Sequence, residues 1–250
     1  MSRCSLAVAA PLRFFLPASK RSADLRLSVD DTSTLGHMLA ALGVPKTEVG
    51  ALIVNGRPVD IAYRPRTGDH ISILALAWPQ WLPTSPPRFL LDVHLGTLSR
   101  RMRLLGLDTA YGQDAGDEAL LETSLTQQRV LLTRDRGLLH RRALRWGAHI
   151  NSQVPDEQLR EVLDRFTPPL QPWSRCLACN GMLIDVPKTD VHAQLQDGTR
   201  RCYETFRRCE RCGHIYWRGA HGQRLQGIVD AATARQSSAA GSSPSCPTHP

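Results

Sequence analysis

No apolar run in this chain reaches the roughly 18 residues a membrane-spanning helix needs, so no membrane partner is expected. The first 21 residues lack the long uninterrupted apolar core of a signal peptide, because Arg13 breaks the stretch. Cysteines are too few and too oddly numbered for a disulfide framework: seven, with four in Cys-x-x-Cys spacing. Together these absences predict a cytoplasmic protein in a reducing compartment. Acids are outnumbered, 23 Asp+Glu against 31 Lys+Arg, for a formal net charge of +8. Lysine is scarce, so the excess is almost all arginine, which suits bidentate contact with phosphate. Basicity of this size favours a polyanion partner without proving one. The apolar fraction, 42%, is ordinary for a folded protein, and 250 residues allow one large domain or a few small ones.

What is present begins with Cys176-x-x-Cys179 and Cys209-x-x-Cys212. Two such knuckles about 30 residues apart bring four thiolates to one tetrahedral Zn²⁺, and this reading is preferred over a redox pair. Asn180-Gly181 and Gly213 follow the knuckles and let backbone amides turn toward sulfur. A closed four-thiolate site has no open position for substrate, so this zinc holds the fold and does no chemistry. Cys202 fits the spacing worse as a ligand. His192, His214 and His221 are read as surface or packing residues.

Along the chain, residues 1–77 read as an α+β unit of order ββαββ. Leu12–Leu16 and Leu25–Val29 are expected as a hairpin. A helix capped by Thr32 or Ser33 places Leu35, Met38, Leu39 and Leu42 on one face and ends at Gly43. Ala51–Val54 runs into the hairpin turn Asn55-Gly56, and Gly68-Asp69 precedes the strand Ile71–Leu74. This order, with LIVNGRPVD at its centre, resembles a ubiquitin-like β-grasp domain of the sulfur-carrier type. The terminal Gly-Gly of sulfur carriers is missing, which excludes thiocarboxylate chemistry and leaves a docking or regulatory role. Residues 78–87 are a Pro-rich linker. Residues 88–170 read as an α/β domain. Its expected strands are Phe89–Val93, Asp108–Tyr111, Arg129–Thr133 and Gly147–Ile150. Its helices carry Leu95, Leu98, Met102 and Leu105, then Asp117–Gln128, then a basic stretch through Arg145, then Pro155–Phe166. Strand–helix–strand units of this length imply parallel pairing. Residues 171–228 are expected as the zinc ribbon, and 229–250 as a disordered tail.

Asp92 and Asp135 each end a strand, where open α/β sheets bind ligands. Asp114, Asp117 and Glu118 lie at a helix start between them. Carboxylates gathered there select a hard ion, Mg²⁺ or Mn²⁺, and suit phosphodiester cleavage by activated water. Arg134 and Arg136 would hold the substrate backbone. The plainer alternative is equally physical: an Asp at a helix start is commonly a cap. Arg100, Arg101 and Arg103 lie off the apolar face of their helix, as substrate contacts or as a solvated face. In the ribbon, Arg200, Arg201, Arg207, Arg208 and Arg211 interleave with Tyr203, Phe206, Tyr216 and Trp217. That pattern suits single-stranded RNA, or supplies the small core a ribbon needs.

The segments RFLLDVHLGTLSRRMRLLGLDT, DAGDEALL, VLLTRDRGLL, RCLACNGML and RRCERCGHIYWRG, in this order, resemble the Mut7-C RNase family. That family is a branch of PIN-like nucleases with a C-terminal zinc ribbon, often preceded by a ubiquitin-like domain. The resemblance covers residues 12–225. It implies an α/β PIN-like parallel-sheet domain, a β-grasp domain before it and a zinc ribbon after it. It implies a metal-dependent ribonuclease with structural Zn²⁺ on the four cysteines and catalytic Mg²⁺ or Mn²⁺ on Asp92, Asp117 and Asp135, with Asp114 and Glu118 as further acids. Arg134, Arg136, Arg100 and Arg101 would bind RNA, a protein partner would meet the ubiquitin-like domain, and no nucleotide cofactor is called for. Many PIN sites have a fourth acid soon after the third. Here the next are Asp156 and Glu157, at a helix start. The rival readings are a non-catalytic RNA-binding adaptor and a toxin-like or tRNA-directed nuclease docked through its β-grasp domain.

Overall fold

Cys4, Leu6 and Val8 alternate with more exposed residues, and this period of two makes the opening strand of the computed structural model, which describes residues 3–21, 24–28 and 32–240. In chain order the elements are β1 (Arg3–Val8), β2 (Asp24–Ser28), α1 (Leu35–Ala41), β3 (Val49–Val54), β4 (Arg57–Val59), β5 (His70–Ala75), β6 (Arg88–Leu91), α2 (Gly96–Leu104), β7 (Asp108–Tyr111), α3 (Asp117–Thr126), β8 (Val130–Thr133), α4 (Arg136–Leu139), β9 (Gly147–His149), α5 (Pro155–Phe166), β10 (Leu183–Val186), α6 (Lys188–Val191), α7 (Asp197–Cys202), β11 (Phe206–Cys209), β12 (Ile215–Trp217) and α8 (Ala220–Ala240). They divide into two compact units. One takes the chain up to residue 81 and then 116–150; the other takes 82–115 and then 151 onward.

In the first unit a five-stranded sheet runs β2-β1-β5-β3-β4, with β1 parallel to β5 and the remaining pairs antiparallel. This is the β-grasp expected from the sequence. Thr34 caps α1, its hydroxyl accepting the His37 N–H at 3.2 Å, in place of Thr32 or Ser33. Asn55 and Gly56 both take positive φ, 50° and 78°, as a two-residue hairpin turn of the primed type requires. Leu6, Leu12, Leu16, Leu35, Leu39, Ile71 and Ile73 lie in the buried core. The hairpin expectation needs correcting. Leu12–Leu16 is no strand: Ala10–Phe15 forms a 3-10 turn, and the first strand is β1 upstream. Pro11 at the start of that turn removes a ladder donor. Leu12, Phe15 and Leu16 then reach the core at helical spacing. Val29, expected to end the second strand, lies outside the described residues.

The same unit holds α3, β8, α4 and β9. Strand β8 is parallel to β9, pairing Leu131 with Gly147 and Thr133 with His149. The basic helix expected through Arg145 is corrected to the single turn α4. After Leu138 and Leu139 the next buried anchor is Leu144, off the helical period, so no apolar stripe sustains a longer helix. The β-grasp packs directly on this segment. The Glu48 carboxylate accepts the His149 N–H at 2.8 Å, and Lys46 Nζ donates to the Arg142 carbonyl at 2.7 Å.

In the second unit β6 and β7 pair in parallel, Arg88 with Asp108 and Leu91 with Tyr111, joined through α2. Strand β6 stops at Leu91, and Val93 belongs to a 3-10 turn, Val93–Leu95. Leu95, Leu98, Met102 and Leu105 are buried as expected. Helix α5 begins with Pro155 in its first turn and buries Leu159, Val162, Leu163 and Phe166. The rings of Phe89 and Phe166 meet at 5.3 Å. A three-stranded sheet, β10-β11-β12, carries the cysteine region. The expected disordered tail is corrected over its first part: residues 229–240 continue α8. Val229 and Ala232 are buried, and Arg235 makes a two-pronged pair with Asp164 at 2.6 and 2.7 Å, so apolar content is low but well placed. Among the described residues no helix is long and apolar enough to cross a membrane.

Candidate functional site

The four cysteines converge. All four Sγ atoms lie within 4.8 Å of one another, with Cys176–Cys212 at 3.6 Å and Cys179–Cys209 at 3.4 Å. A tetrahedron with Zn–S near 2.3 Å has edges of about 3.8 Å, so the donor set fits Zn²⁺. Gly181 permits this approach: a Cβ there would come within 2.9 Å of Cys209 Sγ and of Arg211 Cβ. Tyr216 closes the first knuckle. Its hydroxyl lies 3.1 Å from Cys176 Sγ and accepts the Leu177 and Ala178 N–H groups at 3.1 and 3.4 Å. Burial pushes the Cys176 thiol up, but hydrogen bonds from Tyr216 and the Cys179 and Ala178 amides outweigh it and bring the pKa down to about 7. Burial and the neighbouring thiols push Cys179 up to about 12.

Arg103 and Asn180 fasten this site to the rest of the unit. The buried Arg103 donates to the Thr109 carbonyl at 2.9 Å and to the knuckle carbonyls of Leu177 and Ala178 at 2.9 and 2.8 Å. Asn180 accepts the Thr109 N–H at 2.9 Å and donates to Asp108 at 2.8 Å. Arg175 adds the Gly106 carbonyl at 3.2 Å and Asp108 at 3.7 Å. Gly106 takes φ 82°, and a Cβ there would fall 2.0 Å from the Gln171 carbonyl oxygen. The expectation that Arg103 lies off the buried face is therefore corrected. It follows the apolar Met102 by one position and is buried because three carbonyl oxygens, of Thr109, Leu177 and Ala178, take its donors in place of water.

The acids divide between the units. In the second, Asp92 is buried directly after β6, its Oδ1 accepting the His94 N–H at 3.0 Å, and Asp114 is exposed. In the first, Asp135 is exposed after β8. Its Oδ1 accepts the Gly137 N–H at 2.7 Å, and its own N–H donates to the Thr133 hydroxyl at 2.8 Å. Asp117 is half-buried in the first turn of α3. Glu118 pairs with Arg141 at 2.5 Å, and that hydrogen bond holds its carboxyl below the usual range. Among the arginines, Arg136 stacks on Phe14, 4.4 Å from the ring centroid, and Arg101 pairs with Asp156 at 2.6 Å. Arg100 is exposed and Arg134 half-buried.

Of the ribbon aromatics, Phe206 is buried, Tyr216 is committed to the knuckle, and Trp217 remains 40% exposed. Cys202 is exposed and outside the four-sulfur cluster. His214 lies against Tyr216, ring centroids 4.9 Å apart. The side chain of His221 and all of Cys246 lie outside the described residues. Sequence reasoning missed Trp173 altogether, and it missed the bonds by which Arg103 and Asn180 fasten the knuckle. Only the position of Asn180 after its knuckle signalled anything.

A β-grasp sheet, parallel α/β strand pairs and a four-cysteine cluster define a class: an α/β protein with a ubiquitin-like module and a candidate metal site. Residues 87–229 match the model described as Mut7-C RNAse domain, and residues 1–78 match Mut7-C ubiquitin. The chain belongs to the Mut7-C RNAse domain family. Among solved structures it is similar to SAMP1 from Haloferax volcanii, at 16% identity over 30% of this chain and 97% of that one, TM-score 0.25. A second structure, of H. volcanii small archaeal modifier protein 1, gives 19% identity over 29% and 95%, TM-score 0.24. None of the curated proteins matches the chain.

Proposed function

We propose that this protein is a metal-dependent ribonuclease whose α/β layer is PIN-like. Asp92, Asp117 and Asp135 hold Mg²⁺ or Mn²⁺, with Asp114 and Glu118 as accessory acids. The observation that carries the reading is the Mut7-C RNAse match over residues 87–229 together with the position of Asp92 one residue after β6 and Asp135 two residues after β8, each strand belonging to a parallel pair. The donor chemistry fits: carboxylate oxygens suit hard divalent ions, and Asp135 engages Oδ1 in its turn while Oδ2 makes no hydrogen bond among the described residues. A bound ion of this kind supplies an activated water and charge stabilisation at the leaving oxygen. The chain's own part is to orient the carboxylates, which Thr133 does for Asp135 through its backbone. Arg100 and Arg134 meet the RNA backbone, and the zinc ribbon helps grip the strand. Arg101 and Arg136 would first have to leave Asp156 and Phe14. A cytoplasmic setting and a protein partner for the ubiquitin-like domain complete the reading.

The test is cleavage of end-labelled single-stranded RNA by zinc-loaded protein with Mg²⁺, Mn²⁺ or neither, beside Asp92→Asn and Asp135→Asn. Metal-dependent cleavage lost in both variants is expected. Cleavage that survives both would sink the assignment. One observation favours a second reading, the non-catalytic adaptor: Asp92 and Asp135 both cap the turn that follows them. RNA binding with no cleavage under any metal would select it.

A further inference from the structure

The ribbon completes its core without two of its tryptophans. Val186, Val191, Leu195 and Phe206 form that core, with Tyr203 and Ile215 packed against it. Trp173 and Trp217 instead line a cavity of about 110 Å³, together with Asp185, Thr205, Arg207 and Arg218. Large aromatics left out of a small core, around a space the size of one ring system, call for an occupant.

The walls are held in place. Gly219 lies so close to Trp217 that a Cβ there would come within 2.9 Å of Nε1. Trp173 takes φ 65°, a costly backbone for a bulky residue and one that tends to mark ligand sites. Its N–H donates to the Leu104 carbonyl at 2.9 Å, and its own carbonyl accepts from Arg207 at 2.8 Å. Its indole N–H is buried with no acceptor among the described residues, a state that an incoming carbonyl or a water relieves. Arg207 also pairs with Asp185 at 2.8 Å, and the Arg218 guanidinium stands 5.5 Å over the Trp173 ring.

We propose that this cavity receives one base of a single-stranded RNA, stacked against Trp217, with Arg218 on the adjoining phosphate. A nucleobase brings a flat π face, ring carbonyls and amino groups for the Asp185 carboxylate, and a backbone charge for the arginine. An acidic peptide satisfies the arginine alone, and the cavity is too small for a helix or strand. The inference takes its substrate class from the ribonuclease reading and none of its residues.

The experiment uses the full zinc-loaded chain without Mg²⁺ or Mn²⁺. Fluorescence anisotropy compares a labelled oligouridylate with an abasic oligomer of equal phosphate count. Stacking at about 1–3 kcal/mol per base predicts a loss of roughly 5- to 150-fold for Trp217→Ala on the oligouridylate, with the abasic oligomer unmoved. Trp217→Phe retains most of the affinity. Arg218→Ala weakens both oligomers and lowers the salt slope by about 0.7. Unchanged oligouridylate binding by Trp217→Ala, or equal losses on both oligomers, overturns the proposal. So does a wild-type chain that binds neither, which leaves a protein as the occupant. Should Trp217→Ala fail to take up zinc, photocrosslinking of wild type to a bromouridine oligomer replaces it: adduct on Trp217 or Trp173 supports the site, and adduct only elsewhere overturns it. The two readings fail separately. Trp217→Ala at wild-type affinity removes the base site even where Asp135→Asn abolishes cleavage, and absent cleavage removes the nuclease even where Trp217→Ala weakens binding.

Discussion

Tyr216 shows how one hydroxyl can serve a metal site it does not ligate. It meets the Cys176 sulfur and two knuckle amides at once, so it fixes the direction from which that thiolate approaches. Tyr216→Phe keeps the ring and removes only these bonds. The expected result is a loss of about 10- to 100-fold in Zn²⁺ affinity with the fold retained at saturating zinc, read by competition with a chromophoric chelator. Arg103 carries a different load. Its guanidinium is buried and satisfies three carbonyls. Arg103→Met should destabilise the second unit by about 3 kcal/mol, because those acceptors then stay buried without donors. Chemical denaturation followed by the fluorescence of Trp173 checks it, and a midpoint unmoved from wild type would refute it. Neither role was legible in the sequence. The spacing of cysteines reports ligands, because metal geometry dictates it. A tyrosine or arginine that supports the ligands without binding the metal obeys no such period, and Arg103 sits beside two other arginines, Arg100 and Arg101, that read with it as one solvated run.

At the scale of elements, legibility followed how local the cause is. Asn55-Gly56, Gly43 and Gly106 sit where positive φ requires them, and α5 buries the four apolar positions its period marks. Where the cause is tertiary, the sequence misled. Residues 12–16 have the composition of a strand, yet Pro11 and the core above them make a 3-10 turn. Residues 229–240 have the composition of a tail, yet Val229, Ala232 and Arg235 find partners on the unit they follow. At the acids, a cap and a metal ligand ask for the same residue at the same place, so spacing alone does not separate the two roles. Truncation after Ile228 would be silent if residues beyond it were disordered. We expect instead a loss of about 1–3 kcal/mol, from two buried apolar side chains and one ion pair, seen as a lower melting temperature of the zinc-loaded protein. An unchanged melting curve would return this segment to the status of a tail.

The β-grasp and the ribbon are both built into larger units, and this changes what removing either should do. Glu48, Lys46 and Phe14 of the β-grasp contact His149, Arg142 and Arg136, so deletion of residues 1–77 strips the β8–β9 segment of packing and leaves a strand amide without its acceptor. A docking module on a tether would come away cleanly, leaving turnover intact. Here the shortened chain should be insoluble or should lose amide protection along 130–149. Zinc removal should act in the same way on the second unit. The first knuckle is tied to β7 through Arg103, Asn180 and Arg175, so a metal on the four thiolates would order more than its own loops. With the thiolates released, the carbonyls of Leu177 and Ala178 drift from Arg103, and the Asn180 side chain no longer holds Thr109. Hydrogen exchange by mass spectrometry, before and after chelation, reads this outcome. Faster exchange in residues 108–111 as well as in 176–182 is expected. Loss confined to 176–217, with β7 still protected, would mean that the ribbon is held to its neighbour by packing alone and that Arg103 keeps its partners without zinc.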